Sequence, residues 1–195
     1  MRARLGLFVS GIRFEWREIL LRDKPLEFLE ISSDGTVPVM QIGDKVIQES
    51  LDIFLWAIEG SDMMSSFDAD IIAQNDGSFK TALDQYKYAS RHGEGVGDAA
   101  RATGAEFIAE LNERLSTAPY LNGHTIGATD LAILPFIRQY AHVDMEWFYG
   151  QDWPKTINWL DEFKSSDLFK LIMTKLPPWQ NGENARIYGQ ILRNL

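Results

Sequence analysis

The spacing of hydrophobic and polar positions changes near residue 60. Before that point, alternating and helical patterns succeed one another over short stretches, which is typical of a small mixed α/β domain. The predicted elements are a helix at 1–10, a strand at 14–20, a helical turn region at 24–31, strand-like runs at 37–42 and 45–50, and a helix at 50–59. The order α-β-α-β-β-α therefore describes the first part of the chain.

After the polar connector GSDMMSSFD, strand signals stop and apolar residues recur at helical spacing. The predicted buried faces are Ile72, Phe79, Leu83 and Tyr86; Phe107, Leu111 and Leu115; Leu131, Leu134 and either Ile137 or Arg138; and Ile157, Leu160 and Phe163. The pattern predicts an α/β domain at 1–60, a linker at 61–67 and an all-helical domain at 68–195.

Composition narrows the possible partners and compartment. The 19 Lys and Arg against 28 Asp and Glu give a net charge of −9, which argues against a nucleic-acid or anionic-membrane surface. The absence of cysteine excludes disulfides and thiolate metal sites, and it fits a reducing cytoplasm. No stretch approaches the roughly 20 apolar residues of a membrane span. We expect a cytoplasmic protein whose partners are small molecules or other proteins.

General catalytic motifs are not found. The sequence contains no GxSxG, no phosphate-binding Walker loop and no HExxH. The three histidines, His92, His124 and His142, are too scattered to suggest a metal site. Sequence chemistry alone therefore identifies no catalytic residue and no metal ligand.

One proline stands where a strand should not have it. Pro38 lies inside the run VPVMQI, although proline cannot donate a hydrogen bond to a neighbouring strand. A Gly-Asp turn, the run KVIQES and the helix ESLDIFLW follow it. This order, with its Val-Pro step and its Glu-Ser pair, resembles the thioredoxin-like domain of glutathione transferases. Downstream, YLNGHTIGATDLAILPFIRQ resembles the segment that opens the buried helix of that family's helical domain, so the resemblance spans essentially the whole chain.

The resemblance implies a glutathione site built from five residues. It implies a cis bond between Val37 and Pro38, with the backbone of Val37 bound to the cysteinyl part of glutathione as a short added strand. Ser50 would be the N-cap of its helix and hold the γ-glutamyl carboxylate, and Glu49 would face the adjacent ammonium. Lys24 matches a lysine that holds the glycyl carboxylate in omega-like members. The alternative for Pro38, Glu49 and Ser50 is a tight turn followed by an ordinary N-cap. The alternative for Lys24 is an ordinary surface lysine.

Two departures from the family pattern accompany these matches. In the family, a first strand and a turn precede the helix that MRARLGL matches, and the turn carries a reactive Cys, Ser or Tyr. In this sequence, Ser10 lies at the wrong end of the helix and the first tyrosine is Tyr86. We expect Met1 to be an internal methionine. The absent strand would leave two inner sheet edges for a rearranged strand, a partner subunit or a swapped segment to fill. The second departure is Gly127, where the family usually has Ser or Thr as N-cap.

Three functions remain open at this stage. The first is a glutathione transferase or a glutathione-dependent thiol reductase, acting on a small hydrophobic or disulfide substrate with glutathione as co-substrate. The second is a non-catalytic dimerisation or interaction module of the same fold, and the third is a helical domain with a degenerate appendage. Tyr86, Tyr88 and Trp179 are candidates to contact the second substrate because of their size. A homodimer is expected, with its interface near the helices that begin the second domain.

Overall fold

The computed structural model of the chain describes residues 1–32, 34–91 and 95–189. His92 lies outside these residues. By packing, the chain forms two compact units. The first unit joins Met1–Ser61 to the segment that begins at Asp167, and the second unit is Asp62–Ser166.

Residues 1–61 contain the predicted elements in the predicted order. They are α1 (Arg2–Val9), β1 (Phe14–Glu15), α2 (Leu26–Ile31), β2 (Met40–Ile42), β3 (Lys45–Ile47) and α3 (Ser50–Ile58). The strand predicted at 14–20 is much shorter than expected, because only Phe14 and Glu15 form a strand and Leu20 makes an isolated bridge to Asp23. The hairpin β2–β3 is antiparallel, with Met40 opposite Ile47.

Close contact between α1 and α3 forms the core of the first unit. A Cβ on Gly6 would lie 2.9 Å from the Cα of Phe54, so the two helix backbones approach at this glycine. Around this crossing, Leu5, Phe8 and Ile58 are essentially inaccessible to solvent. The side chains of β2 and β3 that face α1 and α3 extend the same core.

The edge of β1 is paired by a strand from the other end of the chain. The remaining elements of the first unit are α10 (Asp167–Ile172) and β4 (Ile187–Tyr188). In the antiparallel pair, Phe14 lies opposite Tyr188, and the backbone N–H of Trp16 donates to the carbonyl of Arg186 at 3.0 Å. A rearranged strand, one of the three expected ways to fill an unpaired edge, therefore pairs with the edge of β1. Among the described strands, β2 pairs only with β3.

This pairing differs from the predicted division of the chain, which assigned 68–195 to one all-helical domain. The segment from Asp167 onward packs with the first unit and contributes β4. A strand of two residues is too short to show a period in the sequence, and its partner lies at the other end of the chain. The linker at 61–67 stays a prediction.

The second unit is helical over its described residues, as predicted. Its α-helices are α4 (Ala69–Gln74), α5 (Lys80–Lys87), α6 (Val96–Arg114), α7 (Ala128–Ala141), α8 (Met145–Tyr149) and α9 (Pro154–Ser165). A π-helical turn at Asn75–Phe79 joins α4 to α5, and a 3₁₀ helix at Asp62–Ser66 occupies most of the predicted linker. Helix α7 is the centre of this unit, since residues 131–134 have no exposed surface. No described helix combines the length and the apolar composition needed to cross a bilayer.

Candidate functional site

The peptide bond between Val37 and Pro38 is cis, which confirms that prediction. Val37 immediately precedes this bond and is 47% exposed. Within the described part of the chain, no hydrogen bond engages the backbone N–H or C=O of Val37. A free donor and a free acceptor on one exposed residue can pair with an extended peptide, as an added strand would.

Ser32 ties the loop before Pro38 to the segment that leads into α3. Its side chain is 1% exposed, and its hydroxyl lies 3.3 Å from the carbonyl oxygen of Thr36 and 3.4 Å from Oε1 of Gln48. The carbonyl of Ser32 also accepts a hydrogen bond from the backbone N–H of Gly35. The end of α2, the loop at Val37 and the residue before Glu49 are thus held by one buried side chain, which the sequence analysis did not identify.

The start of α3 differs from the prediction in one respect. Glu49 occupies the N-cap position and Ser50 is the first helical residue, so the prediction that Ser50 is the N-cap is wrong. The backbone of Glu49 is extended and its carbonyl accepts the first helical hydrogen bond, from Ile53. This geometry places the cap one residue earlier than the Ser side chain suggested, because cap position depends on backbone conformation.

The first turn of α3 keeps donors free for a ligand. Among the described residues, neither the Ser50 hydroxyl nor the N–H groups of Ser50 and Leu51 have a partner. The first N–H groups of any helix lack an intrahelical acceptor and carry partial positive charge. Glu49 is exposed beside them, and Asp52 also lies in this turn. The turn therefore offers donors for a carboxylate and acceptors for an ammonium.

Lys24 lies against the same loop. Its Nζ is 3.1 Å from the position that a Cβ on Gly35 would occupy, two residues before Val37. Gly35 has φ of +61°, a conformation that favours glycine. Lys24 is half-buried, and no salt bridge to another described residue engages it. The structure thus brings the predicted ammonium close to the loop that carries the predicted backbone site.

Among the described residues, none can be assigned as the catalytic nucleophile. Ser10 lies at the end of α1 and its hydroxyl donates to the carbonyl of Leu7 at 3.0 Å. Over the described residues, no three His, Asp or Glu side chains form a group that could hold a metal ion. The catalytic residue, which the sequence analysis left unknown, stays unassigned.

The three aromatic candidates for substrate contact occupy different environments. Tyr86, in the second unit, is 9% exposed, and burial raises the pKa of its hydroxyl. Tyr88 in the same unit is 36% exposed, with the guanidinium of Arg91 at 4.3 Å from its ring centre. Trp179 belongs to the first unit, where its backbone N–H donates to the carbonyl of Glu18 at 2.7 Å. Their proposed contact with a substrate stays a prediction.

The segment that opens α7 is held by a buried carboxylate. Asp130 has no exposed surface; its Oδ1 accepts hydrogen bonds from the N–H of Leu121 and the indole of Trp159, and its Oδ2 accepts one from the N–H of Gly127. Burial raises the pKa of Asp130 above its usual range, against the lowering effect of these bonds. Its role is structural, since all its contacts are internal to the second unit.

A shallow cavity of about 400 Å³ also lies in the second unit, beside the start of α9. It is lined by residues 115–119 and by Lys155, Asn158, Trp159 and Glu162. At its edge the hydroxyl of Tyr120 donates to Glu162 at 2.5 Å, and this carboxylate raises the pKa of Tyr120 to about 12. Sequence reasoning did not single out these residues.

Comparisons with known proteins agree with this arrangement. Residues 1–62 match the family model of the glutathione S-transferase N-terminal domain. A probable glutathione S-transferase from Nicotiana tabacum, parA, is 28% identical over 160 residues, which cover 78% of this chain and 69% of that protein.

Solved structures show the same fold. A glutathione transferase family member from Pseudomonas fluorescens Pf-5, with two glutathione bound, superposes with a TM-score of 0.74 at 16% identity, over 87% of this chain and 86% of that one. A glutathione S-transferase from Xanthobacter autotrophicus Py2 gives a TM-score of 0.67 at 21% identity, over 85% and 87% of the two chains. The fold is a thioredoxin-like N-terminal region followed by a mostly helical region. Residues 1–62 thus match the glutathione S-transferase N-terminal domain, and the fold of the chain is that of solved glutathione transferases.

Proposed function

We propose that this protein binds glutathione at the loop before Pro38 and uses it as a co-substrate. The observation that carries the proposal is that Val37 is exposed and that its backbone N–H and C=O pair with no other described residue. The match of residues 1–62 to the glutathione S-transferase N-terminal domain supports it, as does the similar fold of a protein whose structure holds two glutathione molecules. Backbone pairing would hold the cysteinyl residue of the tripeptide in an extended conformation.

The charges of the ligand match the charges around the loop. Glutathione carries two carboxylates and one ammonium. In the proposed pose, Lys24 holds the glycyl carboxylate, and the Ser50 hydroxyl with the free N–H groups of α3 holds the γ-glutamyl carboxylate. Glu49 faces the ammonium. Each ligand charge thus meets an opposite charge or an unused donor.

The proposed reaction joins the glutathionyl group, through its sulfur, to a small hydrophobic electrophile or to one sulfur of a disulfide. The thiol loses its proton to a base and the resulting thiolate attacks. The leaving group of the electrophile then departs as an anion, or the second sulfur of the disulfide departs as a thiolate. No described residue is assigned to activate the thiol. Conjugation and thiol exchange measured on the 195-residue chain test the co-substrate role, and turnover at background would leave glutathione as a bound ligand only.

A second candidate function is a non-catalytic interaction module of the same fold. The lack of any cysteine and the engagement of the Ser10 hydroxyl within α1 favour it. We also propose that the protein is a cytoplasmic homodimer, and light scattering at micromolar concentration tests this association. Glutathione binding without conjugation or thiol exchange would favour the module over the enzyme.

The glutathione site is tested by calorimetry on wild type and on Lys24→Met. Removing the ammonium should weaken the binding of glutathione by about 1–2 kcal/mol, as expected for a charge-assisted hydrogen bond. Lys45→Met is the matched control, because Lys45 is an exposed lysine of β3 in the same unit and should leave affinity unchanged.

The assignment of Lys24 to the glycyl end has its own test. A glycyl ester of glutathione lacks that carboxylate charge, so wild type should bind it as weakly as Lys24→Met binds glutathione. The two changes should not add, because they remove the same contact. Additive losses would place Lys24 elsewhere on the ligand, and no heat with wild type would refute the glutathione site.

A further inference from the structure

The C-terminal segment 177–189, here called the strap, follows an extended path over the first unit. Apart from a turn at 181–182, it has no regular structure before β4. Near its start, the N–H of Trp179 donates to the carbonyl of Glu18 at 2.7 Å. At its end, β4 pairs with β1. The strap is thus held by backbone hydrogen bonds at both ends.

Aromatic side chains hold the end of the strap. The ring of Tyr188 lies 6.1 Å from that of Phe8, 6.2 Å from Phe14 and 5.3 Å from Trp16, measured between ring centres. Phe8 and Trp16 are 1% and 6% exposed. Because aromatic groups of this size dominate the energetics of a small core, the contact of Tyr188 completes the cluster on α1 and β1.

Polar contacts fix the middle of the strap. The guanidinium of Arg186 donates to the carbonyl of Pro177 at 2.7 Å and to the carboxylate of Glu183 at 2.5 Å, which closes the strap into a loop. The side-chain amide of Asn181 donates to Glu27 on α2 at 2.6 Å. This bond connects the strap to the helix that follows Lys24.

The strap contacts the chain on both sides of Lys24. Glu18 precedes Lys24 and accepts a backbone bond from Trp179, and Glu27 follows Lys24 and accepts a side-chain bond from Asn181. The bridge at residues 20 and 23 lies between these contacts. A segment fixed at both ends has fewer accessible conformations, so the position of Lys24 depends on the strap.

We propose that docking of the strap positions Lys24 for the ligand, so that strap docking and glutathione binding are coupled. The inference rests on the proposed glutathione site. Coupling is reciprocal: a docked strap raises affinity, and bound glutathione holds the strap in place. The surface that receives the strap, formed by β1 with Phe8 and Trp16, fits an extended segment with one aromatic side chain.

Two glycines of the strap provide a matched pair of variants. Gly189 has φ of +103°, and a Cβ there would overlap the carbonyl group of Ile12, so Gly189→Ala cannot dock in the observed position. Gly182 has φ of +87°, yet no atom of the described residues lies within 4 Å of its Cβ position. Gly182→Ala therefore has comparable backbone strain without blocking docking.

Hydrogen exchange and calorimetry on the full chain test the coupling. In Gly189→Ala, amides of residues 14–27 and 186–188 should exchange faster than in wild type, and the dissociation constant for glutathione should rise about fivefold or more. Gly182→Ala should resemble wild type in both measurements. Saturating glutathione should slow exchange in 186–188 of wild type.

The outcomes separate this inference from the proposed function. In Gly189→Ala, faster hydrogen exchange at 186–188 together with unchanged exchange at 18–27 and unchanged affinity for glutathione would overturn the inference. Normal exchange throughout this variant would also overturn it. If wild type binds no glutathione, the proposed function fails. Hydrogen exchange alone then decides whether the strap positions the Lys24 segment. Faster exchange at 18–27 in Gly189→Ala, but not in Gly182→Ala, would support this positioning, and equal exchange in the two variants would refute it.

Discussion

A Cβ on Gly127 would overlap the hydroxyl oxygen of Ser66. That same oxygen accepts a hydrogen bond of 2.7 Å from the N–H of Ala128, the first residue of α7. Gly127 is the N-cap and has no side chain to offer. Ser66, at the end of the 3₁₀ helix, therefore supplies the hydroxyl that an N-cap Ser or Thr would ordinarily provide.

This relationship predicts a compensating pair of substitutions. Gly127→Ser alone should destabilise the protein by about 1–3 kcal/mol, because its side chain meets Ser66 in a packed site. Ser66→Gly alone should cost about 1 kcal/mol through loss of the hydrogen bond to Ala128. The double variant should recover part of the loss, since the introduced serine side chain can then cap α7 itself. Urea unfolding of wild type and the three variants measures the coupling.

Simple addition of the two single losses would contradict the prediction. The backbone of Gly127 provides a further check, because its φ of −118° is accessible to any residue. A loss in Gly127→Ser therefore reports the contact with Ser66 and not backbone strain.

Asp130 should make stability fall as pH rises. Burial raises its pKa, so the folded state binds this proton more readily than the unfolded chain does. The stability it contributes is fully present below about pH 4, the ordinary pKa of an aspartate, and is lost as pH rises through the raised folded value. The unfolding free energy of wild type minus that of Asp130→Asn should therefore decrease as pH rises above about pH 4.

Asp167 provides the opposite case for the same pH series. The ammonium of Lys170, at 2.7 Å, lowers the pKa of Asp167. Its stabilising effect is therefore present above the ordinary pKa of an aspartate and lost as pH falls through the lowered value. The unfolding free energy of wild type minus that of Asp167→Asn should not decrease as pH rises. Parallel slopes for the two variants would contradict the assignment at Asp130.

Gly6 should not tolerate a methyl group. Gly6→Ala places a Cβ 2.9 Å from the Cα of Phe54, a backbone atom that can move only with α3. The cost of overpacking should exceed the helix propensity gained from alanine and destabilise the protein by about 1–3 kcal/mol. Gly77→Ala, also in a helical segment but with open space around its Cβ position, should be neutral or stabilising. Thermal melts of both variants test the contrast.

Ser32 should affect ligand affinity as well as stability. Ser32→Ala removes the hydroxyl near Thr36 and Gln48. It should weaken the binding of glutathione by about 1 kcal/mol and lower the free energy of unfolding by a comparable amount. Ser61→Ala removes a hydroxyl bond of 2.6 Å to Ile58 in the same unit, away from the loop. It should lower stability similarly and leave affinity intact, as read by calorimetry and melting. Equal affinity in both variants would exclude a positioning role for Ser32.

The sequence by itself determined the order of elements and the helical second unit, because apolar periodicity and turn residues act within a few positions. The cis bond at Pro38 followed from the resemblance of the segment around it to the glutathione transferases. The same resemblance implied a glutathione site at Val37, Pro38, Glu49 and Ser50, and it could do so because these motif residues are close in sequence.

Only the tertiary structure decided which distant residues complete these elements. Ser66 caps a helix whose first N–H lies 62 residues later, and the two residues of β4 pair with β1 from the opposite end of the chain. Ser50 proved to be the first helical residue because the conformation of Glu49 sets the cap. A short pairing segment, a cap from another element and a close backbone contact at Gly6 leave no periodic signal, since each depends on a partner that folding brings near.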